Sequence, residues 1–298
     1  MDAILTLVAN REATTLTPLD IDTVSTLSRG QRETVLSSGE AVDIACGPVS
    51  PEELDIIREA LGTRPVDVLL ASGVRRRKRL LVADMDSTMV ASETLDDIAA
   101  EAERLRPGIG EAVAAVTRQS MNGEIDFQTS LRNRVALLEG LPASLLEDAA
   151  LHMRLNEGAR TLVATMNASG TVTALVSGGF TFFTSRVARL CGFSEHHANR
   201  LDISGQVLSG TVEEPILGPD AKLCHLTRIA DAADIPLTDA LAIGDGANDL
   251  PMLRAAGLGI AFHAKPVVRK QIVNRIDHTS LRSALFVQGY RADEFLTS

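Results

Sequence analysis

Leu80-Leu81-Val82-Ala83-Asp84-Met85-Asp86-Ser87-Thr88 decides the fold. Four apolar residues are too few for a helix. A short apolar run with a polar boundary reads as a strand buried on both faces of a parallel sheet. Asp84 and Asp86 stand two residues apart at its end, so their side chains point the same way, toward the crevice where doubly wound sheets bind ligands. Like charges this close raise the proton affinity of one of them unless a cation sits between. Two more apolar runs end in polar residues. Ala174-Leu175-Val176 leads into Ser177-Gly178-Gly179, a hydroxyl beside bare backbone amides that can approach an anion. Leu241-Ala242-Ile243 leads into Gly244-Asp245-Gly246-Ala247-Asn248-Asp249, a second acidic cluster. Taken singly these are a turn, a flexible loop and a capped helix start. Three such strand ends in one region make coincidence a poor account.

Working outward, strand and helix signals alternate after the second run. Strands are predicted at Thr171–Val176 and Leu241–Ile243, and helices at Thr184–Leu190 and Leu250–Ala256, which implies a parallel sheet with helices on both faces. Between the first and second runs, 94–153 changes character. Leu95, Ile98, Ala99 and Ala102 share a helical face, as do Val113, Val116 and Thr117, and again Leu131, Val135 and Leu138. Pro107-Gly108, Asn122-Gly123 and Gly140-Leu141-Pro142 punctuate the segment, so it reads as an insert of about four helices. Leu201–Val212 reads as a hairpin around Gly205 and Gly210.

Upstream, residues 1–74 form a separate pattern. Ala3–Ala9 is a strand candidate, Pro18–Leu27 a helix, Val35 with Ala41–Cys46 a hairpin, and Val66–Ala71 a closing strand. Ser50-Pro51-Glu52-Glu53 is a helix start with Ser as cap, Pro at the first position and Glu at the third. The order β-α-β-β-α-β is that of a ferredoxin-like fold. The five basic residues Arg75 to Arg79 read as a solvated linker between the two units.

Composition bounds the function. Of 298 residues 45% are hydrophobic and only 3% aromatic, with no Trp, so the core is aliphatic and base-stacking platforms are missing. Twenty-nine basic against 39 acidic residues give a net charge of −10, which repels a phosphate backbone. A nucleic-acid partner is not expected, and neither is a membrane, because no apolar run approaches a span. The odd set Cys46, Cys191 and Cys224 contains no CxxC pair. All three read as small buried residues in a reducing compartment, the cytoplasm. His196, His197 and His225 fit no motif and read as surface residues.

The set Asp84-Met85-Asp86-Ser87-Thr88, Ser177-Gly178-Gly179, Lys222 and Gly244-Asp245-Gly246-Ala247-Asn248-Asp249 resembles the four motifs of the haloacid dehalogenase superfamily of phosphotransferases. In the helical insert, Glu93, Met121-Asn122-Gly123, Phe127 and Ser130-Leu131-Arg132-Asn133-Arg134-Val135 resemble the cap of the phosphoserine phosphatases, which catalyse the last step of serine biosynthesis. The resemblance runs over about residues 80–290. It implies a Rossmann-like core at 80–92 and 157–298 with the cap at about 93–156, inside a phosphatase domain spanning 75–298. Residues 1–74 resemble an ACT-type regulatory or dimerisation domain by strand order and position alone.

By that resemblance Asp84 is the nucleophile that becomes an aspartyl-phosphate, and Asp86 protonates the leaving serine oxygen and then deprotonates water. Mg²⁺ would be held by Asp84, the Asp86 carbonyl and Asp245, with Asp249 in support. Ser177, Gly178, Lys222 and Asn248 would hold the phosphoryl oxygens. Arg134 would take the substrate carboxylate and Glu93 its ammonium group, while Met121 and Phe127 exclude water. The implied reaction is hydrolysis of O-phospho-L-serine by a possible homodimer. Two alternatives stay open from the residues: the same machinery on another small phosphomonoester, and a catalytically weak amino-acid-sensing regulatory protein. Against the second, Asp84, Asp86, Lys222 and Asp245 are all intact.

Overall fold

The computed structural model describes residues 3–121, 124–218 and 220–296, with the side chain of Met121 excepted. The chain begins with β1 (Ala3–Ala9), α1 (Pro18–Ser28), β2 (Arg32–Ser37), β3 (Ala41–Cys46), α2 (Pro51–Ala60) and β4 (Val66–Ser72). These strands make an antiparallel sheet in the order β2-β3-β1-β4, the ferredoxin-like arrangement expected. Both helices start as the sequence indicates. Thr17 with Asp20, and Ser50 with Glu53, form reciprocal capping boxes, each followed by Pro in the first turn.

The core sheet follows from β5 (Leu80–Ala83), whose side chains alternate between two cores. Leu81 and Ala83 pack on one face, and Leu80 and Val82 on the other. Next comes the insert of four helices, α3 (Thr94–Ala102), α4 (Ile109–Met121), α5 (Phe127–Ala136) and α6 (Leu145–His152). Most of the faces read from the sequence are buried: Leu95, Ile98, Ala99, Ala102, Val113, Leu131, Val135 and Leu138 join one core, whereas Val116 and Thr117 are only half-buried and stay outside it. The chain then returns through α7 (Ala159–Ala168), β6 (Val172–Phe180), α8 (Thr181–Cys191) and β7 (Glu195–Asn199). A hairpin of β8 (Leu201–Ser204) and β9 (Val207–Val212) reaches back to the cap. The remaining elements are α9 (Ala221–Ala232), β10 (Ala240–Gly244), α10 (Leu250–Ala255), β11 (Leu258–Phe262), the short helix α11 (Pro266–Arg269), β12 (Asn274–Ile276) and the short helix α12 (Ser283–Phe286). The parallel order β12-β11-β10-β5-β6-β7 sets β5 between β10 and β6, so the three polar strand ends lie side by side. Among the described residues no helix is long and apolar enough to cross a membrane.

Three expectations need correction. The basic run is no solvated linker at Arg76. Its guanidinium is mostly buried, grips both oxygens of buried Asp43 at 2.7 and 3.0 Å, and donates to the carbonyl of Val287. Arg76 is therefore one of the ties between the antiparallel sheet and the core, a role invisible when the run is read without its partner. Arg77 lies over the Tyr290 ring, 4.0 Å from its centroid. Cys46 and Cys191 are buried as expected, whereas Cys224 is exposed on α9. The histidines are half-buried. His197 stacks on His225 at 4.1 Å and bonds Glu195, and burial pushes His225 down to about 4.

The interface between the two units joins a small apolar cluster, Val8, Leu36 and Ala41 against Phe286, to a set of polar contacts. The Asp67 carboxylate of β4 accepts from the backbone amides of Asp277, His278 and Thr279, and from the Thr279 hydroxyl. Asn274 pairs with both backbone groups of Leu70, and Arg282 grips Glu40 through two nitrogens.

Candidate active site

The chain leaves β5 at Asp84 and immediately makes a single wide turn, Met85–Met89, closed by the Val90 amide on the Met85 carbonyl. Ser87 takes a left-handed φ of 56° within it. This turn aims both aspartates at the crevice. Asp84 Oδ1 accepts from the Met85 amide at 2.7 Å and sits 2.8 Å from Lys222 Nζ. Asp86 is held by the Thr94 amide on Oδ1 at 2.8 Å and by the Ser177 hydroxyl on Oδ2 at 2.9 Å.

Ser177 belongs to the end of β6. The sequence reading ended that strand at Val176, yet it continues to Phe180, with its register against β7 shifted between Val176 and Phe180. The shift is where Ser177-Gly178-Gly179 bows out of the ladder. The Gly179 amide donates to Ser177 Oγ at 2.8 Å, which fixes the hydroxyl toward Asp86. Gly178 lets Phe127 of the cap lie close over it: a Cβ there would meet Phe127 Cζ at 3.0 Å.

The third strand end supplies Asp245 and Asp249. Asp249 is fully buried, and its Oδ2 accepts from the Asp245 and Gly246 amides. A Cβ on Gly244 would stand 2.3 Å from its Cγ, so only glycine lets the carboxylate tuck under the strand. Its Oδ1 lies 2.5 Å from Lys222 Nζ. Asp245 Oδ1 accepts from the Thr88 hydroxyl at 3.0 Å.

Electrostatics follow from one buried cation serving several carboxylates. Burial pushes the Asp84 carboxyl well above its ordinary range, and Asp249 adds to this; Lys222 opposes them. Asp86 is raised by burial and then by Glu93. Asp245 is pushed up to about 6, by burial first and Asp249 second. Burial pulls the Lys222 ammonium down, but Asp249 and Asp84 outweigh it and hold it above the ordinary lysine value. Asp84, Asp245 and Asp249 each offer an oxygen, all within 4.8 Å of one another. Acids that favour a proton for want of positive charge, in an all-oxygen set, fit a hard divalent cation.

The cap contributes from above. Arg134 is half-buried, with burial lowering its guanidinium and the carboxylates of Asp96, Glu93 and Asp86 acting against that. Glu93 accepts from Ser87 Oγ at 2.9 Å. Phe127, Ser177, Gly178, Lys222 and Asn248 line a small cavity between cap and core. Thus Asp84, Asp86, Glu93, Phe127, Arg134, Ser177, Gly178, Lys222, Asp245, Asn248 and Asp249 converge on one crevice under the cap. Met121 ends α4, but its side chain and the following Asn122-Gly123 lie outside the described residues.

Two contributors went unread in the sequence. Asn199 donates to the Gly178 carbonyl at 2.8 Å and accepts from the Leu217 amide, which fixes the bowed segment. Lys265 Nζ lies 3.7 Å from Asp245 Oδ2 and 3.8 Å from Glu93 Oε1. Neither sits in a local pattern that could have marked it.

Comparison with known proteins places this arrangement. The haloacid dehalogenase-like hydrolase family matches residues 81–254. The phosphoserine phosphatase of Lactococcus lactis is 39% identical over 208 residues, covering 70% of this chain and 94% of that protein. The phosphoserine phosphatase of Streptomyces coelicolor is 42% identical over 252 residues; the match covers 83% of this chain and 60% of that longer protein. A haloacid dehalogenase family hydrolase from Salmonella enterica serovar Typhi superposes with a TM-score of 0.83 at 30% identity. That superposition covers 96% of this chain and 98% of the other, so it includes the antiparallel sheet.

Proposed function

The chain belongs to the haloacid dehalogenase-like hydrolases and, within them, to the phosphoserine phosphatase family; from that premise we propose that it hydrolyses O-phospho-L-serine to L-serine and phosphate. The observation that carries the reading is the pairing, at neighbouring strand ends, of Asp84 with Lys222 at 2.8 Å and of Asp86 with Ser177 at 2.9 Å.

Asp84 is the nucleophile. Its Oδ1 is occupied by Lys222 and the Met85 amide, which leaves Oδ2 to attack phosphorus. As the new P–O bond forms, the bond from phosphorus to the serine oxygen breaks, and Asp86 gives that oxygen its proton. Burial and Glu93 raise the Asp86 carboxyl, favouring the protonated form this step requires. In the second step Asp86 takes a proton from water, the water oxygen bonds to phosphorus, and the bond to Asp84 breaks. Ser177 Oγ, the Gly178 amide, Asn248 and Lys222 hold the phosphoryl oxygens throughout. Asp84, Asp245 and the Asp86 carbonyl, supported by Asp249, would hold Mg²⁺, which offsets charge repulsion between Asp84 and the phosphate.

In the cap, Arg134 takes the substrate carboxylate, Glu93 the ammonium group, and Phe127 with Met121 walls the site from water. Phe127 of the cap lies over Gly178 at the mouth of the small cavity between cap and core, where it covers the phosphoryl end of the substrate. Residues 75–298 act as the phosphatase domain, with residues 1–74 as an ACT-like unit that serves dimerisation; a monomeric mass for the full chain in solution would sink that assignment. Free, unpaired cysteines support a cytoplasmic setting.

The test is phosphate release from O-phospho-L-serine, O-phosphothreonine and p-nitrophenyl phosphate, with Mg²⁺ and with EDTA. Mg²⁺-dependent release that strongly favours phosphoserine is expected. Release from the aryl ester alone refutes the substrate and leaves the chemistry standing.

A further inference from the structure

The two linkers that join the cap to the core run antiparallel beside Asp84. Val90 pairs with Leu155, the Ala91 amide donates to the Arg154 carbonyl at 2.9 Å, and the Asn156 amide donates to the Met89 carbonyl at 2.9 Å. Asn156 is the residue where the return linker meets the wide turn. Its side-chain Nδ2 donates to the carbonyls of Thr88 at 2.7 Å and Val90 at 3.2 Å. Thr88 is fully buried, and its hydroxyl is the donor on Asp245 Oδ1.

We propose that Asn156 is a positioning residue that locks the cap linkers to the wide turn and, through Thr88, fixes the carboxylate of Asp245. The inference rests on Asp245 being a cation ligand, as argued above. Thr88 carries its side chain on the same short turn whose carbonyl Asn156 grips. A backbone left loose at that carbonyl lets the hydroxyl drift from Asp245 Oδ1, and the carboxylate then loses its fixed place beside Asp84 and Asp249. Hydrogen-bond partners beyond the ligands commonly govern metal affinity in this way. The second bond, to Val90, fastens the outgoing linker at the point where a moving cap would hinge. Nothing in the sequence marks Asn156: it is polar, half-buried and lies outside every strand-end motif.

The test is a double-mutant cycle of Asn156→Ala and Thr88→Val, read by calorimetric Mg²⁺ binding and by the Mg²⁺-induced rise in Tm, alongside kinetics. Each single variant is expected to weaken Mg²⁺ binding by about tenfold, at the low end for such partners. Because both act through one path, the double variant is expected to lose about tenfold in total rather than about a hundredfold. At saturating Mg²⁺ the KM for phosphoserine stays near that of the unaltered chain, since Arg134 and Glu93 are untouched. Asn156→Thr, which retains one short donor, is expected to lose less and serves if the alanine variant does not fold. Unchanged Mg²⁺ affinity in the Asn156 variant, or multiplicative losses in the double variant, overturns the proposal. If the unaltered chain binds no Mg²⁺, the cation assignment of Asp245 fails first and this inference falls with it.

Discussion

Replacing Lys222 by Ala separates the two jobs its ammonium performs. Nζ lies 2.8 Å from Asp84 and 2.5 Å from Asp249, and all three side chains are at most 8% exposed. Removing the cation leaves two buried carboxylates facing each other with Asp245 close by. Breaking a buried pair in this way costs about 3–5 kcal/mol. For a domain of this size that corresponds to a Tm loss on the order of 10 °C without metal. Mg²⁺ among Asp84, Asp245 and Asp249 supplies the missing positive charge, so saturating metal is expected to restore most of the stability. It cannot restore the donor to the phosphoryl oxygens. Loss of one preorganised donor costs roughly 10²–10³ in kcat, about 2.7–4 kcal/mol. The assay pairs thermal unfolding in EDTA and in Mg²⁺ with steady-state phosphate release from phosphoserine. A variant whose kcat stays within tenfold under saturating Mg²⁺ refutes the phosphoryl role. One with unchanged stability in EDTA refutes the electrostatic argument.

Further consequences can be checked in the same preparations. Arg134→Ala is expected to lose far more kcat/KM on phosphoserine than on p-nitrophenyl phosphate, because only the former carries a carboxylate; equal losses remove that role. Arg76→Met leaves Asp43 buried beside Thr6 alone, so chemical denaturation should show a loss of about 3–5 kcal/mol, while a loss under 1 kcal/mol would make the interdomain ion pair incidental. The metal-free chain should also lose stability as pH rises between about 4 and 6. The Asp245 carboxyl goes from 3.8 to about 6, so the folded state binds more protons than the unfolded one in that window, and the slope is negative. At about 1.36 kcal/mol per unit the two-unit shift amounts to roughly 3 kcal/mol. Mg²⁺ should abolish that part of the pH dependence, and a metal-free chain that instead gains stability across the window contradicts the crowded-acid picture.

Legibility in the sequence tracked how local the governing physics is. β1 and β5 span the predicted residues because uniformly or alternately apolar runs between polar stops leave little choice. The two N-terminal helices begin at their capping residues for the same reason. The site was legible because its acids and glycines sit directly at strand ends, where the sheet order gathers them. What was missed depends on distant partners. β7, Glu-His-His-Ala-Asn, has no apolar pattern because it is the sheet edge, half-buried and paired on one side only. Arg76 reads as one of five solvated cations until Asp43 is placed beside it. Lys265, Asn199 and Asn156 each act through two contacts to segments well separated from them in the chain. Cys224 is exposed since α9 turns the neighbouring Lys222, not the cysteine, toward the crevice.

The central claim is a covalent phosphoryl group on Asp84. Acid quenching during turnover of phosphoserine, followed by borohydride reduction and peptide mass mapping, tests it most directly. Reduction confined to position 84, and lost in Asp84→Asn, is the predicted result. Active enzyme that yields no modified residue 84, or a modified residue elsewhere, contradicts the account.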